Sequence, residues 1–375
     1  MTSQNVFELR AEIDRLDQNI LELLDRRAVC AREIGRLKSG GGKPAFDPGR
    51  ERDLLARLCR DDHTLSTDAL RRIYIEIISA CRSLQAPLRV AYLGPEATFS
   101  HRAALGHFGG AADFAPQTTV HHVFREVEAG QADFGVVPVE NSTEGAVGLT
   151  LDELVISDLS VCGEIYLPVV QNLLSRENDK TTVKTVYSHP QALAQCRSWL
   201  AANLPAASLV EASSTASAAE RATREPGTAA IGADMLAEKH GLGILAAGIQ
   251  DLALNQTRFF VLGRLACETS GRDKTSIIFI LSHEPGSLSR ALNPLAEAGI
   301  NMTRIESRPV KAQAWEYVFF VDIEGHRSEE KVRNALEKMA AEVETLKILG
   351  SYPAGDAAGQ CSNQRTLASG GSQSA

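Results

Sequence analysis

From about Ser3 to Lys38 the chain runs without a proline, and its first glycine is Gly35. Within this stretch Leu9, Ile13, Leu16, Ile20 and Leu23 alternate steps of four and three, which places them on one helical stripe. At about 1.5 Å per residue such a helix spans roughly 50 Å. A short helical region cannot cover an apolar stripe of that length, so a second copy of the chain is expected to cover it. The Gly40-Gly41-Gly42 break and Pro44 end the helix, and a second helix begins near Asp47-Pro48. A third carries Ala69, Leu70, Ile73, Tyr74, Ile77 and Ile78. Three such helices predict an all-α intertwined dimer.

The charges on these helices are informative because of where they fall. Arg27 and Lys38 lie eleven residues apart, which at about 100° per residue returns them to nearly one face. Arg10 lies about 100° off that face and reaches a shared site only from another helix or another chain. Asp47, Arg50 and Glu51 fall at i, i+3 and i+4, and Cys81 and Gln85 at i and i+4, so each set points one way.

Composition narrows the rest. At 375 residues the chain is too long for one core and suggests two to four domains. The net charge is -8 and no basic, aromatic-interleaved stripe occurs, so nucleic acid is not an expected partner. No apolar stretch reaches membrane-spanning length and the first residues lack a signal-peptide core, which predicts a cytoplasmic protein with no membrane partner. Cys30, Cys59, Cys81, Cys162, Cys196, Cys267 and Cys361 are scattered without a CxxC pair. That pattern argues against a disulfide framework and against a zinc site, and no metal is expected.

The helical region resembles a known family. Leu9-Arg10, Asp25-Arg26-Arg27, Gly35-Arg36-Leu37-Lys38, Asp47-x-x-Arg50-Glu51-Arg52 and Ile77-Ile78-Ser79-Ala80-Cys81-x-x-x-Gln85 look like the all-helical chorismate mutase domain. The resemblance implies a chorismate site made of Arg10 of the partner subunit, Arg27, Lys38, Asp47, Arg50, Glu51, Cys81 and Gln85. Several cations without a plausible nucleophile suit a dianion undergoing a pericyclic rearrangement. Lys38 and Gln85 would be donors to the breaking ether oxygen, and Glu51 would take the ring hydroxyl.

After Ala86-Pro87 strands and helices alternate, which predicts a parallel or mixed sheet covered on both faces. Strands near 89–93, 134–139, 183–187, 209–211 and 229–231 each run into a polar turn read as a helix start. The turns are Gly94 to Ser100, Glu140 to Gly145, Ser188 to Gln191, Ala212 to Ala216, and Gly232-Ala233. Helix starts favour anions, although Ser and Thr there are also ordinary caps. The cluster Asn255-Gln256-Thr257-Arg258-Phe259-Phe260 adds a hydroxyl beside a guanidinium where a loop enters a strand. No nucleotide-binding glycine loop and no G-x-S-x-G elbow is present, so no cofactor is expected. His101, His121, His122 and His189 have no metal-ligand spacing, and His189 before a proline reads as structural.

Gly94-Pro95-x-x-Thr98-Phe99-Ser100, Asn141-Ser142-x-Glu144-Gly145, Ser188-His189-Pro190-Gln191 and Thr257-Arg258-Phe259 resemble prephenate dehydratase in order and spacing. The resemblance implies two lobes with a cleft, similar to periplasmic binding proteins, and loss of carbon dioxide and hydroxide from prephenate. Thr257 would donate to or orient the leaving hydroxyl and Arg258 would clamp a carboxylate. Thr98, Ser100, Asn141, Ser142, Thr215 and Phe259 would complete the substrate site.

From Thr275 onward the pattern is βαββαβ, a small ferredoxin-like α+β unit. Pro285-Gly286-Ser287-Leu288 and Asn301 to Pro309 resemble the ACT domains that follow dehydratase domains and bind phenylalanine. This implies an effector site at Gly286, Ser287, Leu288, Glu306, Ser307, Arg308 and Pro309 between paired domains. The segment after Pro353, rich in Gly, Ala, Ser and Gln, is expected to be disordered. Domain limits are expected at 1–87, 88–266 and 274–352. The order matches the fused chorismate mutase and prephenate dehydratase of phenylalanine biosynthesis, with substrates chorismate and prephenate, effector L-phenylalanine, and a homodimer or higher assembly. Arogenate dehydration and non-catalytic amino-acid sensing are the competing readings.

Overall fold

The computed structural model describes residues 3–39, 46–60, 62–309 and 317–355. The Gly40-Gly41-Gly42 break, Pro44 and the tail beyond residue 355 lie outside the described residues. The chain divides into two compact units, residues 1–89 with 105–113, and residues 90–104 with the chain from 114 onward.

The first unit is helical. Helix α1 runs Ser3–Ser39, α2 Pro48–Leu58 and α3 Thr67–Ser83. Asp47 caps α2 by accepting from the Arg50 N–H at 3.0 Å, with Pro48 opening the first turn. Ser66 caps α3 by accepting from the Ala69 N–H. The stripe residues Leu9, Ile13, Leu16, Ile20 and Leu23 are 48–59% exposed within this one chain. Where α1 meets α3, Gly35 is required: a Cβ there would lie 2.9 Å from the Gln85 Cα.

The second unit holds three sheets. Along the chain come β1 (Arg89–Leu93), α4 (Phe99–Phe108), whose second half from Leu105 belongs to the first unit, β2 (Asp113–Gln117), α5 (Val120–Glu128), β3 (Phe134–Asn141), β4 (Gly145–Ala146), α6 (Gly148–Ile156) and β5 (Ser160–Pro168). The chain then builds a second sheet from β6 (Asn172–Ser175), β7 (Thr185–Ser188), α7 (Pro190–Gln195), α8 (Arg197–Asn203), β8 (Ser208–Glu211), α9 (Thr215–Arg224), β9 (Thr228–Gly232), α10 (Asp234–His240) and β10 (Gly243–Ala246). It returns to the first sheet as β11 (Gln256–Gly263). The sheet orders are β2-β1-β3-β11-β5, with β4 on β3, and β10-β6-β9-β7-β8, both mixed. Because β11 runs antiparallel to β3, its first residues lie beside the last residues of β3, and Thr257 pairs with Asn141.

One expected helix start is absent. Asn141 to Gly145 folds back as a short hairpin, with Gly145 at φ 81° supplying the turn, and α6 begins only at Gly148.

The third sheet comprises β12 (Asp273–Ile280), β13 (Met302–Pro309), β14 (Tyr317–Glu324) and β15 (Thr345–Pro353), with α11 (Ser287–Glu297) and α12 (Glu330–Ala340). Its order is β13-β14-β12-β15, antiparallel at each recorded pairing. Strand β12 is buried along nearly its whole length because both of its faces are covered. Ile277 and Phe279 pack with Leu295, Leu336 and Met339 under the helices. Ile278, Val318, Phe320, Leu349 and Tyr352 join Val161, Phe260 and Leu262 in a core shared with the first sheet. At Gly350 this contact brings backbone against backbone: a Cβ would lie 2.1 Å from the Val161 carbonyl oxygen. Gly350→Ala is therefore expected to lower stability by about 1–3 kcal/mol, read as a fall in the urea midpoint of the full chain.

Candidate active and regulatory sites

In the helical unit the last turn of α3 and the turn after it carry two expected residues. Cys81 is buried, and the Gln85 Oε1 is buried without a hydrogen-bond partner among the described residues. Arg27 reaches across to donate to the Ile77 carbonyl at 3.3 Å. Lys38 is half-buried at the end of α1, while Arg10 and Arg50 are exposed. Glu51 is held by a residue the sequence reading missed: the Arg82 Nη1 donates to both of its oxygens at 2.7 and 2.8 Å. Arg82 also donates to the Phe108 carbonyl and stacks 5.1 Å from the Phe46 ring centre. Burial raises the Glu51 pKa, against the opposing pull of Arg82.

In the α/β part the first residues of β11 and the end of β3 form a polar cluster. The Asn141 amide donates to the Thr257 Oγ1 and to the Asn255 Oδ1, both at 2.9 Å. The Asn141 Oδ1 accepts from the Thr143 and Glu144 N–H groups, which fixes the side chain within its own turn. Thr257 thus receives one hydrogen bond and keeps its own proton to donate. Ser142 clips the strand entry, donating to the Leu254 carbonyl at 3.1 Å and accepting from the Gln256 N–H at 3.0 Å. A cavity of about 300 Å³ opens beside this cluster, lined by Thr143, Glu144, Gln195, Gln250 and Asn255 among others. Glu144 spans from the first sheet to α7, accepting from the Gln191 Nε2 at 2.6 Å and the Gln195 Nε2 at 3.1 Å.

The remaining expected substrate residues sit at helix starts or in the core. The Thr98 hydroxyl donates to the Pro95 carbonyl at 2.9 Å, and Ser100 is buried in the first turn of α4. Thr215 opens α9, whose cap is Ser214. His189 caps α7 by accepting from the Gln191 N–H, a structural role. Phe259 is fully buried.

Arg258 is not part of this cluster. Successive strand residues point to opposite faces, so Thr257 toward Asn141 puts Arg258 on the other side of the sheet. There Arg258 is 4% exposed, with its Nε 2.7 Å from the Glu164 Oε2, its Nη1 paired with Asp322 and its Nη2 donating to the Tyr352 hydroxyl at 3.1 Å. Burial opposes the Arg258 charge, but Asp322, Tyr352 and Glu164 outweigh it and raise its pKa above the ordinary range. Burial likewise opposes ionisation of Asp322, and Arg258 overrides it, holding that carboxyl below its usual range. The expected carboxylate clamp thus has its donors directed at Glu164, Asp322 and Tyr352.

The expected effector residues separate into two groups. Ser287 and Leu288 line a cavity of about 360 Å³ with Leu281, Pro285, Tyr317 and Phe319. Gly286, at φ 81°, forms the cap of α11 in a left-handed conformation that glycine adopts at no steric cost. Glu306, Ser307, Arg308 and Pro309 lie on the edge strand β13 outside that lining. Arg308 turns toward α6, donating to the Gly148 carbonyl and lying 3.4 Å from the Asp152 carboxylate.

A helical unit bearing cations and buried donors, a two-sheet α/β part with a hydroxyl–amide cluster beside a cavity, and an appended sheet with its own cavity define a multidomain enzyme class acting on small polar molecules. Family models match in the same order: chorismate mutase type II over residues 9–86, prephenate dehydratase over 90–266 and the ACT domain over 275–341. The bifunctional chorismate mutase/prephenate dehydratase of Aquifex aeolicus (strain VF5) is 48% identical over 351 residues, covering 92% of this chain and 97% of the relative. The protein of the same name from Stutzerimonas stutzeri is 46% identical over 92% of this chain and 96% of its own. Among solved structures, the prephenate dehydratase from Arthrobacter aurescens in complex with L-Phe superposes with a TM-score of 0.66 at 35% identity, covering 71% of this chain and 90% of that one. The chain belongs to the bifunctional chorismate mutase/prephenate dehydratase family.

Asn141→Ala removes the donor that orients Thr257. The expected result is a fall of about 10- to 100-fold in kcat for prephenate, with chorismate rearrangement unchanged, measured by phenylpyruvate formation and chorismate loss.

Proposed function

We propose that this chain rearranges chorismate to prephenate in its helical unit and converts prephenate to phenylpyruvate in its α/β part, as a cytoplasmic enzyme inhibited by L-phenylalanine. The Thr257–Asn141–Asn255 cluster carries the second assignment. Prephenate needs little from the protein, because forming the aromatic ring drives loss of carbon dioxide and hydroxide. An alcohol held by Asn141 with its proton free suits a hydrogen bond to the departing hydroxyl. With Arg258 enclosed elsewhere, the N–H groups at the starts of α4 and α9, near Thr98, Ser100 and Thr215, are the better receivers of the substrate carboxylates.

In the mutase site no protein bond to substrate is required. Arg27, Lys38 and Arg50 would meet the two carboxylates, Gln85 and Lys38 the ether oxygen, and Glu51, oriented by Arg82, the ring hydroxyl. Cys81 and Asp47 would line it, although Asp47 also caps α2. The exposed apolar stripe of α1 supports an intertwined dimer, which would bring in Arg10 of the partner subunit.

The βαββαβ order supports a ferredoxin-like regulatory domain. Its cavity joins apolar and aromatic side chains, Leu281, Leu288, Tyr317 and Phe319, to a polar side with Ser282, His283 and Glu284 and to Ser287 at the α11 N-terminus, a setting for the ring, ammonium and carboxylate of L-phenylalanine. The Arthrobacter structure holds L-Phe, which supports the same effector here.

The full chain supplied with chorismate, or with prephenate, should form phenylpyruvate from both, and L-phenylalanine should suppress the second step. Lys38→Ala should abolish only chorismate loss, and Thr257→Ala only prephenate turnover. Turnover of arogenate without prephenate would overturn the substrate assignment, and ligand binding with no turnover of any of them would leave a sensor.

A further inference from the structure

The far face of β11 is as polar as the face that carries Thr257. Where that face meets the third sheet, Glu140, Glu164 and Arg258 of the first sheet come together with Asp322, Lys274 and Arg304 of the third, three charges of each sign. Lys274 lies 2.9 Å from Glu164, and Arg304 lies 3.0 Å from Glu140. Within this set Arg258 closes a ring with side chains from three strands of the regulatory sheet. Its Nη1 donates to Asp322 on β14, and the Ser276 hydroxyl on β12 donates to the other Asp322 oxygen. Ser276 and Tyr352 on β15 share a hydrogen bond of 2.6 Å, and the Tyr352 hydroxyl accepts from the Arg258 Nη2. Ser276 gives its proton to Asp322, so Tyr352 donates to Ser276, and both ways round the ring run from Arg258 as donor to Asp322 as acceptor.

We propose that Asp322, with Ser276 and Tyr352, is a positioning group for prephenate dehydration: by holding the Arg258 guanidinium on the far face of β11, it sets where Thr257 stands on the near face. This rests on Thr257 acting at the leaving hydroxyl. The two residues are consecutive on one strand, in register with Asn141 and Glu140 of β3, and that register shifts only after Arg258, between Arg258 and Phe259. A pull on the guanidinium therefore moves the peptide unit that bears Thr257, while the Asn141 amide holds the hydroxyl only through a single hydrogen bond. Because the ring draws on β12, β14 and β15 together, a shift of any one of them relative to the first sheet is felt at Arg258. The regulatory sheet thereby has a direct mechanical connection to the catalytic strand without any atom of it touching substrate.

The test is steady-state kinetics of the full chain with prephenate and with chorismate for Asp322→Asn, Ser276→Ala and Thr257→Ala, with and without saturating L-phenylalanine. Asp322→Asn keeps the side-chain shape and removes the charge. It should lower kcat for prephenate by about 10-fold with KM unchanged within about twofold, and leave chorismate rearrangement at the wild-type rate. Its remaining activity should respond less to L-phenylalanine than that of the wild type. Ser276→Ala, which loses one hydroxyl and no charge, should show the same kcat-only pattern at about 3-fold, and decides the matter if Asp322→Asn does not fold. Wild-type kcat and full inhibition in folded Asp322→Asn or Ser276→Ala, with Thr257→Ala inactive, would overturn the positioning role alone. A kcat loss matched by an equal loss of folded protein would also overturn it. Wild-type turnover by Thr257→Ala would overturn the catalytic reading and this inference together.

Discussion

A guanidinium removed from water has to be met by carboxylates, and in this chain the one at Arg258 is met from two domains at once. Glu164 comes from β5 of the first sheet and Asp322 from β14 of the regulatory sheet, and all three side chains are almost wholly enclosed. Removing one partner of such a set leaves a buried charge uncompensated, at a cost of about 3–5 kcal/mol, whereas the intact set adds little over apolar packing. What the set supplies is registry: the third sheet can seat on the first only where the charges meet and where Gly350 lets β15 approach the Val161 carbonyl. The position of Thr257, one residue from Arg258, follows from that seating.

Two short-range rules then divide the labour along β11. Alternation sends Thr257 to the side of Asn141 and Asn255, and Arg258 and Phe260 to the side of Tyr352. Antiparallel pairing with β3 sets Asn141 directly opposite Thr257 and Glu140 opposite Arg258, so the polarity of each face is matched by its neighbour strand. One motif of three residues thus places a hydroxyl in the Asn141 cluster on one face and an interdomain contact on the other, while its third member, Phe259, fills the core.

Much of this was legible in the sequence, and the parts that were not share a cause. The α1 stripe, the Asp47-Pro48 start of α2, the alternation of strands and helices and the βαββαβ order all rest on local periodicity and capping, and each appears where those rules place it. Asn141 and Thr257, distant in the chain, are joined because both belong to motifs that carried the resemblance. The separation of Arg258 from Thr257 was not legible because a hydroxyl beside a guanidinium in the one-letter string looks like one site, although in a strand the pair cannot share a face. The signal for it was present: Glu164 is the one acid of the apolar strand β5 and Asp322 is a buried acid within β14, and a buried acid calls for a cation. Arg82 escaped for the complementary reason, since its partner Glu51 lies 31 positions away and no helical spacing links them. The Asn141 to Gly145 turn looked like a helix start because a glycine hairpin and a helix cap draw on the same small polar residues.

The seating of the third sheet on the first depends on Arg258 and Asp322 holding each other across the two domains. A double-mutant cycle on the unfolding free energy of the full chain, with Arg258→Met, Asp322→Leu and the pair combined, measures that directly. Each single change should cost about 3–5 kcal/mol, and the double should fall short of their sum by about 1–3 kcal/mol, because removing both charges leaves no orphan. Costs that add to within about 0.5 kcal/mol would show that the two residues do not act on one another, and would contradict it.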